Sequence, residues 1–433
     1  MSVGVIVLIT GVVLLLCLAI GVPIAFALGL ASILGILLLD DLGSLMILAT
    51  TGFHYGSNWT LTMLPLFVFM AEIFSFAGIA GSIYSVLGKW MGRIPGGIAI
   101  TTVASSGFFA ALSGSSTAGA AAIGTMSFSE MKKMGVKNEL AAGVVAAGGT
   151  LGILIPPSGI LIIYGILTEE SIGHLFMAGI IPGVLIAACF SIYVLIRAVK
   201  NPTVAPKLPS VSWKKRLISL LQIIPALIPI FIIFGGLYTG VFTPTETAGV
   251  GAFVAFIYAA ATRRWSRQNF WTATLRTVQV TAFVLFIIIS AMTFGYLLAR
   301  LGVPQILATY VIDSGMPPLG VLFLINILFL VLGCFLDPFT IMVLTLPILF
   351  PIITQLGFNP IWFGIMMTIN MEMANITPPV GLNLYVVKSV SPPDMTTSEI
   401  MLGSLPFVGV LAIGIILLII FPQIALWLPS TMG

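Results

Sequence analysis

The sequence predicts an all-α polytopic membrane protein built from two inverted-topology repeats, each with a re-entrant helical hairpin and an interrupted helix. Three observations carry this. Of 433 residues, 59% are hydrophobic and only 7% charged. A soluble domain carries roughly 25% charged residues. The apolar residues fall in long runs, not in the alternating segments of roughly ten residues that build a membrane barrel. Helix breakers also recur at a nearly fixed offset between the halves. Pro23 matches Pro244, Pro95 matches Pro317, Gly135 matches Gly357, Pro156-Pro157-Ser158-Gly159 matches Pro378-Pro379-Val380-Gly381, and Pro182 matches Pro406, all 221 to 224 residues apart.

Taken in order, residues 3–20 form an apolar run that Gly21-Val22-Pro23 ends, so helices are expected at 3–20 and 23–39. No Lys or Arg precedes Lys89. The first run therefore lacks the basic start of a cleaved signal peptide and is expected to stay as a membrane helix. A helix follows at 61–79. Next come apolar arms at 96–112 and 117–130, hinged at Ser113-Gly114-Ser115-Ser116. A long helix at 139–168 is interrupted at Pro156-Pro157, and 172–198 follows it. After a polar loop at 199–217, helices are expected at 218–239, 244–262 and 274–299. A second hinged pair spans 317–333 and 338–354, a second interrupted helix 360–390, and a last helix 398–427.

Charge tests this layout. If both hinged pairs enter and leave on one side, 16 of the 17 Lys and Arg residues, from Lys89 through Lys207 to Lys388, share a face. Only Arg300 lies opposite, with Asp40 and Asp41. That asymmetry marks the cytoplasmic side and puts both termini in the periplasm. Fully spanning arms would leave the sides unchanged, so charge fixes orientation and not re-entrance. The first hairpin then enters from the cytoplasm and the second from outside. Inverted repeats of this kind are common in secondary transporters.

Several classes are disfavoured. The net charge of +4 reflects basic loops and gives no sign of nucleic acid. Cys17, Cys189 and Cys334 have no paired spacing and read as small apolar residues. His54 and His174 are too scattered for a metal or catalytic centre. An intramembrane enzyme would need a dyad or metal set, and no histidine lies in the four breaks. A channel would not need two matched, inverted hairpins.

The chemistry is expected where the four interruptions meet. Each break frees backbone carbonyls, and proline removes an N–H. Such carbonyls, with Ser, Thr and Asn oxygens, form a hard cage suited to Na⁺. Half-helix N-termini at the same breaks suit carboxylates. No Lys or Arg lies at any break. Asp337 fits equally a cap for the helix starting at Pro338 and a substrate contact. Glu372 is an intramembrane acid with three roles open to it: moving protons, holding a cation site, or pairing with a neighbour. Glu72 is expected to contact a partner helix, and Glu246 to cap a helix start.

The Ser-Gly-Ser-Ser-Thr tip, the Gly-Gly-Thr-Leu-Gly-Ile-Leu-Ile-Pro-Pro-Ser segment and Asn-Ile-Thr-Pro-Pro-Val-Gly-Leu-Asn resemble the large membrane subunit of tripartite ATP-independent periplasmic (TRAP) transporters. The resemblance covers essentially the whole chain. It implies Na⁺-coupled uptake of an organic acid, such as a C4-dicarboxylate or a sialic or other sugar acid, by an elevator-type movement in a bacterial or archaeal inner membrane. It implies two partners, a periplasmic substrate-binding protein and a small membrane subunit. Because the first helix begins at residue 3, that subunit is expected as a separate chain. Carried onto this sequence, the Na⁺ sites fall at Ser113, Ser115, Ser116, Gly149, Thr150, Gly152 and Pro156, and at Gly333, Asn375, Thr377 and Pro378. The substrate is expected near Ser116, Thr117, Ser158, Asp337, Glu372 and Asn383. Residues 1–95 and 199–316 would form the scaffold, the latter with the cytoplasmic loop. Residues 96–198 and 317–433 would form the mobile transport domain. A stand-alone Na⁺- or H⁺-coupled anion symporter is the competing reading, separated by independence from a binding protein.

Overall fold

The computed structural model describes residues 1–206 and 211–432, so Lys207 of the charge argument lies outside the described residues. Regular structure among the described residues is helical. Helices α1 (Val3–Ala19), α2 (Ile24–Leu39), α3 (Met46–Gly56), α4 (Met63–Phe76) and α5 (Ile79–Met91) precede the first hairpin. That hairpin is α6 (Gly97–Ser113) and α7 (Ser116–Lys133). The first interrupted helix is α8 (Asn138–Leu154) and α9 (Gly159–Thr168), followed by α10 (Ile172–Lys200). The second half runs α11 (Trp213–Tyr238), α12 (Pro244–Ala261), α13 (Arg267–Arg300) and α14 (Val303–Asp313). Its hairpin is α15 (Pro318–Gly333) and α16 (Pro338–Gln355), its interrupted helix α17 (Pro360–Asn375) and α18 (Leu382–Val390), and it closes with α19 (Thr397–Ile420) and α20 (Gln423–Ser430).

The expected spans are present, with three helices added and several boundaries corrected; α11 starts at Trp213 and α13 at Arg267, ahead of the expected 218 and 274. The expected 61–79 helix stops at Phe76, and α5 follows it from the left-handed Gly78. Helices α3 and α14, 11 residues each, are too short and too polar to have stood out as spans. The last expected helix breaks at Phe421-Pro422 into α19 and α20. Among the described residues, seven helical stretches are each long and apolar enough to cross a membrane.

Burial explains the layering. Residues 140–154 of α8 are all buried, as are residues 362–375 of α17. A helix apolar on every side belongs inside, and these two form the centre. The hairpin arms, α10, α18 and α19 pack around them. Helices α1 to α4 and α11 to α13 pack on one another beside this group. Helix α5 lies between α6 and α11, and α14 against α16 and α13. Exposed residues such as Leu8, Leu221, Phe231 and Phe323 form an apolar outer surface, the surface a bilayer covers.

The order hairpin, interrupted helix, long helix recurs in both halves. The correspondence extends to cis peptide bonds at Pro156-Pro157 and Pro378-Pro379. Pro182 and Pro406 lie inside α10 and α19 respectively.

Candidate functional site

The first hairpin tip is built by Ser113, the left-handed Gly114 (φ 60°) and Ser115. Ser115 caps α7 by accepting from the Ala118 N–H at 3.3 Å. This tip seats on the break in its own half. A Cβ at Gly152 would stand 2.5 Å from the Ser115 carbonyl oxygen, and one at Gly149 would stand 2.7 Å from the Ala120 Cβ. Only residues without side chains let the backbones approach so closely. Beyond the break, Ser158 donates to the Ile153 carbonyl at 2.6 Å and caps α9 by accepting from the Leu161 N–H.

The second tip is seated in the same way. A Cβ at Gly333 would meet the Ala374 Cβ at 2.2 Å, and the Cys334 Sγ lies 3.9 Å from the Pro378 carbonyl oxygen. Asp337 caps α16 by accepting from the N–H groups of Phe339 and Thr340, and from the Thr340 hydroxyl. At each junction two helix C-termini face two helix N-termini, and the carbonyls and N–H groups at these ends lie outside the helical ladder. Partial charges of both signs thus converge, and at the second junction the Asp337 carboxylate already sits on the α16 N-terminus.

The two halves meet at Ser116. Its hydroxyl donates to the Glu372 Oε2 at 3.1 Å and accepts from the Asn383 Nδ2 at 2.6 Å. All three residues are at least nine-tenths buried. The Glu372 Oε1, Asn383 Oδ1 and Ser113 Oγ are buried with no hydrogen-bond partner. Buried oxygens of this kind are normally satisfied, so each is a free acceptor. Thr150 and Thr377 donate to the carbonyls of Ala147 and Met373, both at 2.6 Å. Their hydroxyl lone pairs remain available.

A cavity of about 580 Å³ opens beside the tips. Ser113, Ser115, Ser116, Thr117, Asp337 and Asn375 reach its wall. Ser158, Glu372 and Asn383, expected near substrate, lie behind the wall and are essentially inaccessible. Gly149, Thr150, Gly152, Pro156, Gly333, Thr377 and Pro378 stand at the junctions and not on the wall. Two charged wall residues were not assigned to the site from sequence. Glu72 was read as a helix–helix contact and Arg276 only as a topology marker. The structure puts both in the cavity and pairs them, Arg276 Nη1 to Glu72 Oε2 at 3.5 Å. For Glu72 the available signal was a charged residue inside an apolar run, whereas Arg276 stands in the polar first turns of α13 and gave none.

These features define an all-helical, multi-pass membrane protein with a polar site enclosed among its spans. The sequence model of the tripartite ATP-independent periplasmic transporter, DctM component, matches residues 11–424, and the chain belongs to that family of transporter permeases. It is 37% identical to the C4-dicarboxylate TRAP transporter large permease protein DctM of Vibrio cholerae, over 95% of this chain and 94% of that one. It is 33% identical to the sialic acid TRAP transporter large permease protein SiaM of the same organism, over 95% of each chain. Its fold matches the YdaH transporter of Alcanivorax borkumensis with a TM-score of 0.64 at 14% identity, covering 90% of this chain and 91% of that one. At that identity the likeness is one of fold. TRAP-mediated uptake is therefore the activity of the family to which the chain belongs.

Proposed function

We propose that the chain takes up an organic acid, a C4-dicarboxylate or a sugar acid such as sialic acid, by symport with Na⁺ and an elevator movement. A periplasmic binding protein delivers the acid, and a small membrane subunit on a separate chain completes the scaffold. The observation that carries this reading is the pair of tip–break junctions. Each gathers helix-end carbonyls and hydroxyls around a glycine-lined contact. Such oxygens suit a small hard cation that needs no formal countercharge.

In this reading one Na⁺ is held by Ser113, Ser115, Ser116, Gly149, Thr150, Gly152 and Pro156, and another by Gly333, Asn375, Thr377 and Pro378. The acid lies between the tips at Ser116, Thr117 and Asp337. Glu372, Asn383 and Ser158 support that surface from behind. Na⁺ bound beside the acid offsets its negative charge, which lowers the cost of carrying it across the hydrocarbon. Residues 96–198 and 317–433 move as the transport domain, against a scaffold of 1–95 and 199–316, the latter with the cytoplasmic loop. Both termini lie in the periplasm, and the protein works in the inner membrane.

The test is uptake into proteoliposomes holding this chain with its small subunit. A Na⁺ gradient is compared with K⁺, with and without the cognate binding protein, using labelled succinate, sialic acid and gluconate. Uptake that requires both Na⁺ and binding protein is expected. Uptake without the binding protein would instead establish a stand-alone symporter. Thr150→Ala and Thr377→Ala should each weaken Na⁺ dependence. Unchanged Na⁺ dependence in both would overturn the cation-site assignment.

A further inference from the structure

The cavity at the hairpin tips continues past them. Its far side is formed by α4 and α13, which contribute Glu72, Ser75 and Arg276. A second cavity, of about 620 Å³, is lined by Ser82, Gln222 and Arg264 among others. Ser75, Ala122 and Thr125 belong to the walls of both. The two spaces therefore adjoin along α4 and α7. They lead from the tips toward the basic turn between α12 and α13, the face that the charge distribution assigns to the cytoplasm.

Arg276 stands on this route. Its side chain is 63% exposed, and Glu72 is 26% exposed. Their one contact, at 3.5 Å, is at the limit of a hydrogen bond. Ion pairs this long and this wet hold weakly. Among the described residues the other donors of the guanidinium have no protein partner. A planar fork facing open space is suited to take a carboxylate through two parallel hydrogen bonds.

We propose that Arg276 is a release-side binding residue, which takes the substrate carboxylate as it leaves the tips in the cytoplasm-facing state, and that Glu72 displaces the acid by reclaiming Arg276. The inference rests on the carboxylate uptake proposed above. It accounts for a cation on the scaffold side of a cavity whose tips carry none. It also gives the acidic partner a purpose. An unopposed arginine would hold the product, and a neighbouring carboxylate offers it an alternative when the acid departs.

The experiment separates the two faces of the carrier. Binding protein added only outside restricts uptake to molecules whose periplasmic face is outward. Vesicles are loaded with graded concentrations of the acid transported fastest in the panel above, and exchange with external labelled acid is followed. Arg276→Gln should raise the half-saturating internal concentration about tenfold, the scale of one lost charge-assisted hydrogen bond. The external half-saturation should stay within about twofold of wild type, a spread of a few tenths of a kcal/mol by the tenfold-per-1.4 kcal/mol rule. Arg276→Lys keeps the charge without the fork and should fall between. Glu72→Gln should act in the opposite sense, lowering the internal half-saturation and slowing net uptake. Internal affinity unchanged in Arg276→Gln, or shifted equally on both faces, would overturn the proposal. Sodium-independent exchange by the wild type would overturn the coupling reading instead, and the internal arm would still decide the role of Arg276.

Discussion

Ser116 has a single hydroxyl engaged on two sides, accepting from Asn383 and donating to Glu372. Removing it leaves a buried amide and a buried carboxyl facing each other with no bridge. Each buried group left unsatisfied costs about 1–3 kcal/mol. Ser116→Ala should therefore lower the melting temperature of the detergent-solubilised protein, and Ser116→Thr, which keeps the hydroxyl, should restore most of the loss. An unchanged melting temperature in Ser116→Ala would mean that the bridge contributes nothing. Each of these three residues was legible in the sequence as a polar group beside a break. Their meeting was not, because they lie 256 and 267 residues apart and nothing in one sequence encodes such a contact. Asp337 shows the opposite limit. Capping and substrate contact were both open to it, and its carboxylate caps α16 while also facing the cavity. Glu246 was legible outright. Thr243-Pro244-Thr245-Glu246 forms a complete capping box, a local pattern that needs no tertiary information.

At the scale of elements, each hairpin is held to its interrupted helix by a glycine seat. Gly152→Ala and Gly333→Ala place a methyl group inside contact distance of the opposing backbone or side chain. Overpacking of this kind costs about 1–3 kcal/mol. Both variants should melt earlier than wild type and lose Na⁺-dependent uptake, since the tip is pushed off the carbonyls it faces. Gly11→Ala, in α1 with nothing within 4 Å of the added carbon, is the control and should melt no earlier than wild type. Equal melting of all three would mean that the tips are loosely seated. Boundaries at this scale were legible wherever proline or glycine punctuates an apolar run, as at Pro23, Pro244 and Pro338. Helix α5 escaped because Lys89, Gly81, Gly88 and two serines dilute its hydropathy. Helices α3 and α14 escaped because a window sized for a membrane span averages them into their loops.

Across the whole molecule, the repeat was legible because helix breakers keep their spacing, while the grouping of helices was not, because packing depends on faces and not on spacing. The halves also join where α7 ends and α19 begins. Lys132 of α7 pairs with Asp394 at 2.7 Å, before α19, and holds that carboxyl below the usual aspartate range. A lowered pKa keeps the pair formed above the ordinary carboxylate range and loosens it only as pH falls through the lowered value. Asp394→Asn should therefore leave the shape of the uptake profile between about pH 5 and pH 8 unchanged, because aspartate is already ionised across that range. A changed profile would show that the pair does more than tether two ends. The elevator reading makes a stronger demand. Gly295 of α13 faces Pro347 of α16, with 3.8 Å between the Cβ position of the one and the Cβ of the other. That is close to the mean Cβ–Cβ separation of a disulfide, about 3.8 Å. A Gly295→Cys/Pro347→Cys pair, in a background with Cys17, Cys189 and Cys334 replaced, should cross-link on oxidation. If the transport domain slides against α13, oxidation should abolish uptake and reduction should restore it. Each single cysteine variant should be unaffected by oxidant, which separates the cross-link from the loss of Pro347. Full uptake from quantitatively cross-linked protein would mean that α13 and α16 travel together, and the scaffold boundary would have to move elsewhere.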